Sequence, residues 1–274
     1  MLGSSLYAQD YQLSEDGKTL VKWLNKTTTD IDMQADDSLK EVTIIEYNAF
    51  LDCSNLVSIN IGNKVKSIRG AFEGCAKLKS VTLPNGITDI SDAFMGCTGL
   101  TSITIPNSVT NISGAFLRCT GLTSITIPDS VTDISRAFSG CTGLTSITIP
   151  NGVTNISGAF SGCTGLTSIK IPNNVKNIGE HTFSFCRLTT ITIPKSVTEI
   201  DSFAFYMSSH LSSVIMEGST PPEIFNEVGN IIFDFTAPIF IIYVPASSVN
   251  AYKTAKWWSK YAKKIKAQPT HKKK

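Results

Sequence analysis

The chain has 274 residues, 42% of them apolar, only 17% charged, and a net charge of +2. That composition excludes a disordered polyelectrolyte and a strongly basic nucleic-acid binder. No apolar run approaches the roughly 20 residues of a membrane-spanning helix. The charge is uneven. Residues 10–52 carry ten acids against four lysines, a net of −6, and residues 251–274 carry nine lysines and no acid, a net of +9. Between Ala93 and Ile169 the only charges are Arg118, Asp129, Asp133 and Arg136.

In chain order, Met1–Asp10 resembles the end of a secretory signal with Ala8 as the last residue removed, although the charged start and the full apolar region of such a signal are missing. Tyr11–Leu13 and Thr19–Leu24 flank Asp16-Gly17, which predicts a hairpin. Ile31–Met33 predicts a further strand.

From there the sequence repeats. Phe50, Phe72, Phe94, Phe116, Phe138, Phe160, Phe183 and Phe205 are 22 residues apart, with one step of 23. Cys53, Cys75, Cys97, Cys119, Cys141, Cys163 and Cys186 follow the same spacing, and prolines recur every 22 residues from Pro84 to Pro194. Such a period signals stacked coils, since one coil cannot bury its own apolar side.

One unit starts at Leu100-x-x-Ile103-x-Ile105-Pro106, a short strand with alternate side chains inward, ended by a proline that lacks the donor a ladder needs. Val109, Ile112, Ala115, Phe116 and Cys119 complete the inward set. Gly99, Gly121, Gly143 and Gly165 precede the next strands, where a positive φ is expected. Ten rungs pairing in parallel, ending with Ile242–Val244, would make a sheet roughly 45 Å long. Ser247-Ser248 predicts the cap of a helix over 249–267, with Val249, Tyr252, Trp257 or Trp258, Tyr261 and Ile265 on its apolar face and the lysines on its wet face.

The unit L-x-x-I-x-I-P-x-x-V-x-x-I-x-x-A-F-x-x-C resembles the Treponema-type leucine-rich repeats of the BspA-like bacterial surface proteins over about residues 40–217. Leu13–Leu24 and Tyr243–Tyr252 are similar to the caps of secreted members. The resemblance implies a leucine-rich-repeat solenoid: a right-handed superhelix with a parallel β-sheet, irregular or short helical returns, an N-terminal hairpin cap and a C-terminal helical cap. It also implies a secreted or surface address and adhesion or host-protein binding, with no catalytic residue. The one departure in the Cys column is Ser208 in the eighth unit. On this reading residues 1–10 are a signal remnant, 11–39 the N-terminal cap, 40–217 the solenoid, 218–267 a C-terminal cap with an apolar insertion, and 268–274 a basic tail.

Chemistry of other kinds finds little support. The cysteines share one inward position per coil, are poorly oriented for bridging, and lack metal-ligand spacing, so they read as buried thiols. No nucleotide-binding glycine loop, Ser/His/Asp spacing or metalloprotease motif occurs. The reading is a non-enzyme without cofactor or metal, whose partner is an extracellular protein or glycan and not a nucleic acid.

Outward positions of the strands carry the candidate site. Ser102, Thr104, Ser124, Thr126, Ser146, Thr148, Ser168, Lys170, Thr190 and Thr192 form a double file that is nearly uncharged. This file reads as plain soluble residues, as a ligand-binding face, or as an ordered-water (ice) template. A second candidate is the irregular C-terminal region, with Ile215, Phe225, Ile232, Phe233, Phe235 and Tyr243, either covering the last coil or forming a partner-binding patch.

Overall fold

A computed structural model describes residues 10–225 and 231–269; the segment around Ala8 and Lys272–Lys274 lie outside them. The strands are β1 (Tyr11–Leu13), β2 (Thr19–Trp23), β3 (Asp30–Asp32), β4 (Ile44–Ile45), β5 (Ser58–Asn60), β6 (Ser80–Thr82), β7 (Asn177–Ile178), β8 (Thr190–Ile193), β9 (Glu199–Asp201), β10 (Ser213–Met216), β11 (Glu223–Phe225), β12 (Ile241–Val244) and β13 (Ile265–Ala267), with one α-helix, α1 (Val249–Thr254). Together they form a parallel-sheet leucine-rich-repeat solenoid. Among the described residues only β1 and β2, the predicted hairpin, pair antiparallel.

Three ladders join successive coils. The first holds the L-x-x-I-x-I strands, in the orders β3-β5-β6 and β13-β12-β10-β8. The second begins as β1-β2-β4, passes through single bridges from Ser67 to Asp89, Asn111, Asp133 and Asn155, and resumes as β11-β9-β7. The third is a row of turn hydrogen bonds in which each core Phe donates its N–H to the next coil: Phe72 to Ala93, Phe94 to Ala115, Phe116 to Ala137 and Phe138 to Ala159, at 2.9–3.0 Å.

The Phe column fills the centre. Neighbouring rings stack with centroids 4.7 Å apart for Phe50 and Phe72, and 5.8 Å apart along Phe94, Phe116, Phe138, Phe160 and Phe183. Trp23 and Tyr11 continue the stack below Phe50, at 5.5 and 5.6 Å. Above Phe205 the next ring is Phe233, at 5.2 Å. Phe205 N–H donates to the Ile232 carbonyl just as Phe183 N–H donates to Ala204. The repeat geometry therefore runs on past Glu217, through a coil whose spacing in sequence is longer.

The Cys column has a specific partner. Each thiol from Cys75 to Cys186 donates to the carbonyl of a Phe one coil back, with Sγ–O distances of 3.0–3.2 Å. Ser208, the departure in this column, makes the same bond to Phe183 at 2.6 Å. A hydroxyl and a thiol thus satisfy one recurring buried acceptor. Burial pushes the thiols of Cys75, Cys141 and Cys186 up to about 12, so thiolate is scarce at neutral pH. A thiol-reactive chromogen should accordingly count close to no thiols in the native protein and all seven in denaturant; rapid native reaction of several would contradict this core position.

Four sequence expectations need correction. First, Gly99, Gly121, Gly143 and Gly165 do not sit at positive φ. They are needed for close approach, because a Cβ at Gly99 or Gly143 would lie 2.6 Å from the Ala76 or Thr120 carbonyl oxygen of the preceding coil. Second, the left-handed positions are two other columns of the turn. One holds Gly114, Arg136, Gly158, His181 and Phe203; the other holds Arg118, Gly140, Gly162, Phe185, Met207 and Phe235. Non-glycine residues there cost roughly 1–2 kcal/mol each.

Third, the ten-rung sheet is interrupted. In the central coils the first ladder keeps little more than a bridge between Thr104 and Thr126 and the Thr123 N–H bond to the Thr101 carbonyl at 3.2 Å. In these coils the second and third ladders stay hydrogen-bonded and the Phe rings stay stacked, while the first ladder opens. The central strands therefore turn backbone groups to water, and Ile125, Ile147 and Ile169 are half-buried where Ile59 and Ile191 are buried. Fourth, the helix over 249–267 does not form. A continuous helix would leave β12 without its outer ladder partner, because Ile265–Ala267 pair in register with Ile242–Val244. Instead α1 stops at an extended Ala255, Trp257 turns at φ 71°, a 3-10 segment spans Trp258–Lys264, and β13 returns to pair with β12. Ser248 makes no side-chain cap bond. Tyr252, Trp258, Tyr261 and Ile265 still point inward as expected.

Candidate functional site

The double file emerges where the strands place it. Ser102, Thr104, Ser124, Thr126, Ser146, Thr148, Ser168, Lys170 and Thr190 are exposed, and Thr192 is half-buried. Alternation does this locally, since the inward neighbours Leu100, Ile103 and Ile105 are in the core. At the C-terminal end the Thr190 and Ser213 hydroxyls pair at 2.9 Å. At the N-terminal end the file turns acidic: Ser58 donates to Asp30, and Asn60 Nδ2 donates to Asp32 at 2.9 Å.

The interrupted ladder gives this face relief. A shallow cleft of about 340 Å³ lies between the strands of Ser124–Ile127 and Ser146–Thr148, with Asp129 and Pro150 at its edge. A second, of about 300 Å³, is lined by Ile169, Lys170, Asn173, Thr192, Pro194 and Glu217. Strand backbone with free donors and acceptors, hydroxyls on either side, and one or two charges make a surface suited to polar ligands.

The second candidate divides. Ile215 and Tyr243 are half-buried neighbours in register, following Thr192 outward along the first ladder. Ile232 and Phe233 belong to the core, at 0% and 3% exposure, so they are removed from any surface patch. Phe225 and Phe235 do face solvent, at 60% and 67%. The sequence reading missed Phe185, Phe203 and Tyr206, which adjoin Phe235 on the turn edge. The signal was present as large side chains replacing glycine in the two turn columns.

Among the described residues no group of three His, Cys, Asp or Glu is placed to hold a metal ion. No described helix is long and apolar enough to cross a membrane.

The BspA type leucine rich repeat region matches residues 31–137 and 134–257, in six copies. The chain belongs to the BspA-type leucine-rich repeat family. Its repeats are similar to those of a leucine-rich repeat protein from Bacteroides ovatus, at 25% identity and a TM-score of 0.60, over 85% of this chain and 69% of that one. A leucine rich cell surface protein from Faecalibacterium prausnitzii is 26% identical, with a TM-score of 0.53 and 87% of each chain covered. The leucine-rich repeat protein of T. pallidum is 27% identical with a TM-score of 0.51, over 66% of this chain and 89% of that one. No curated protein matches the chain. The BspA-type match runs to residue 257, in keeping with the Phe233 ring at the end of the stack.

Proposed function

We propose that this BspA-type repeat protein is a secreted or surface-displayed, non-catalytic binding module that adheres to host proteins, glycans or other cells through its Ser/Thr face. The observation that carries the reading is the exposed, nearly uncharged file running over the half-open central strands, from Ser102 to Thr192. Repetition supports multivalent contact, since equivalent groups recur once per coil and weak contacts add through effective concentration. The half-buried Ile215 and Tyr243 at its end would supply apolar selectivity. The surface address is supported by the family and by the similar Faecalibacterium cell surface protein.

The test is a panel of immobilised matrix proteins and glycans, read with the wild type and with Thr104→Lys/Thr126→Lys/Thr148→Lys. The wild type should bind at least one surface saturably, and the triple variant should lose about tenfold or more in affinity while its melting temperature stays within a few degrees. Unchanged binding by the triple variant would move the ligand off this face. Absence of saturable binding across the panel would favour a structural spacer with no ligand of its own.

A further inference from the structure

The turn edge of the last coils differs in kind from the rest of the surface. His181 stacks on Phe203 with centroids 5.0 Å apart, and Phe203 meets Tyr206 edge-on at 5.4 Å. Tyr206 in turn meets Phe185 at 5.9 Å and Phe235 at 5.6 Å. Phe185 and Phe235 remain 46% and 67% exposed. His181, Phe203, Phe185 and Phe235 all hold left-handed backbone, at φ 56–60°, in columns where the earlier coils use Gly, Asn, Asp or Arg and no ring. Rings on such positions weaken the fold, and packing inside the solenoid does not require them.

Carboxylates border the row. Glu180 Oε1 is 3.6 Å from His181 Nε2. On the second ladder Glu199 is in register with Glu223, and Asp201 with the exposed Phe225. Among the described residues no lysine or arginine forms an ion pair with Glu199, Asp201 or Glu223. Asn177 Nδ2 donates to Glu199 Oε2 at 3.3 Å, and burial pushes the Asp201 carboxyl up against the pull of its own Asn177 hydrogen bond, with the charges of Glu199 and Glu180 adding to the rise.

We propose that this ledge binds an arginine-bearing peptide segment of a partner protein, with guanidinium groups lying on the exposed rings and forked onto Glu199 and Asp201. A planar cation suits both halves of the ledge. It stacks on aromatic faces and donates paired hydrogen bonds to a carboxylate, whereas an ammonium does only part of this and a neutral sugar leaves the carboxylate charge unneutralised. The ledge is served by the second and third ladders and is separate from the Ser/Thr file.

The experiment is fluorescence anisotropy with the whole chain and a labelled peptide of alternating glycine and arginine, alongside the same peptide carrying lysine or citrulline. The arginine peptide should bind saturably, the lysine peptide about tenfold more weakly, and the citrulline peptide without saturation. Phe203→Gly should weaken arginine-peptide binding by about tenfold or more without lowering the melting temperature, because glycine relieves the left-handed backbone. Glu199→Gln/Asp201→Asn should weaken it as much, and the Thr104/Thr126/Thr148 lysine variant should bind it like the wild type. Equal binding of arginine and lysine peptides, untouched by Phe203→Gly, would mean loose attraction to the acidic N-terminal end and would overturn the proposal. So would no binding at all, or a neutral glycan whose binding alone depends on Phe203.

Discussion

Phe138→Ala should cost the protein about 3–5 kcal/mol of stability, among the largest losses any single side chain can produce here. Phe138 is fully buried between the rings of Phe116 and Phe160, each 5.8 Å away. Its backbone N–H and carbonyl are fixed by bonds to Ala159 and to the thiol of Cys163. The neighbours are tied by the second and third ladders and cannot collapse into the space, so the cavity term stays close to its full size. Urea unfolding followed by circular dichroism would show the loss as a lowered midpoint, with any broadening reporting a break between the two halves of the array. A loss below about 1 kcal/mol would mean that the ring stack is not what holds the coils together.

Gly143→Val should be the next most damaging change, and it acts on the backbone instead of the core. The added Cβ would lie 2.6 Å from the Thr120 carbonyl oxygen and 3.1 Å from that of Leu122. Both atoms belong to the coil beneath, where no flexible side chain can yield, so adjacent coils must part. Overpacking of this kind costs about 1–3 kcal/mol, and here the same contact also carries the Gly143 N–H bond to Thr120 at 3.1 Å. Gly162→Asn is the matched control. It sits in a turn column at φ 69°, where Arg118 and Phe185 stand in other coils, and asparagine tolerates that backbone. The same urea melt should therefore separate the pair clearly. Equal effects would show that backbone conformation, and not the gap between coils, sets the need for glycine at both places.

These two glycines mark where the sequence could and could not be read. The 22-residue period fixed the coil and its inward residues, because burial demands the same chemistry at the same place each time. It could not distinguish a glycine needed for space from one needed for φ, since both leave the same letter. The Phe column also extends beyond its visible period. Phe233 occupies the next ring position after Phe205, 28 residues on, because its coil takes in Pro221 and Pro222 and a longer return. A search for a constant step passes over it and leaves Ile232 and Phe233 undecided between covering the last coil and forming a surface patch. Ser208 misled in the opposite sense: it breaks the Cys column by letter but keeps its hydrogen bond.

The candidate face was legible as alternation, whereas its relief was not. Nothing in Leu-Thr-Ser-Ile-Thr-Ile says that the coils from Thr101 to Ile171 hold their strands apart while those at either end pair fully. That difference arises from the balance of three ladders along the stack. Of the aromatic turn edge only Phe235 was singled out, since Phe185 and Phe203 fall at spacings that a core search assigns to loops.

Amide hydrogen exchange read by mass spectrometry, on the free chain and on the chain saturated with the ligand found in the panel, tests the binding role most directly. In the free protein, amides of residues 101–105, 123–127 and 145–149 should exchange faster than those of β8 and β10, because the central strands are largely unpaired. Ligand should slow exchange in those three segments and leave the turns around the Phe column unchanged. Protection confined to other regions, with the central strands exchanging as before, would contradict the account.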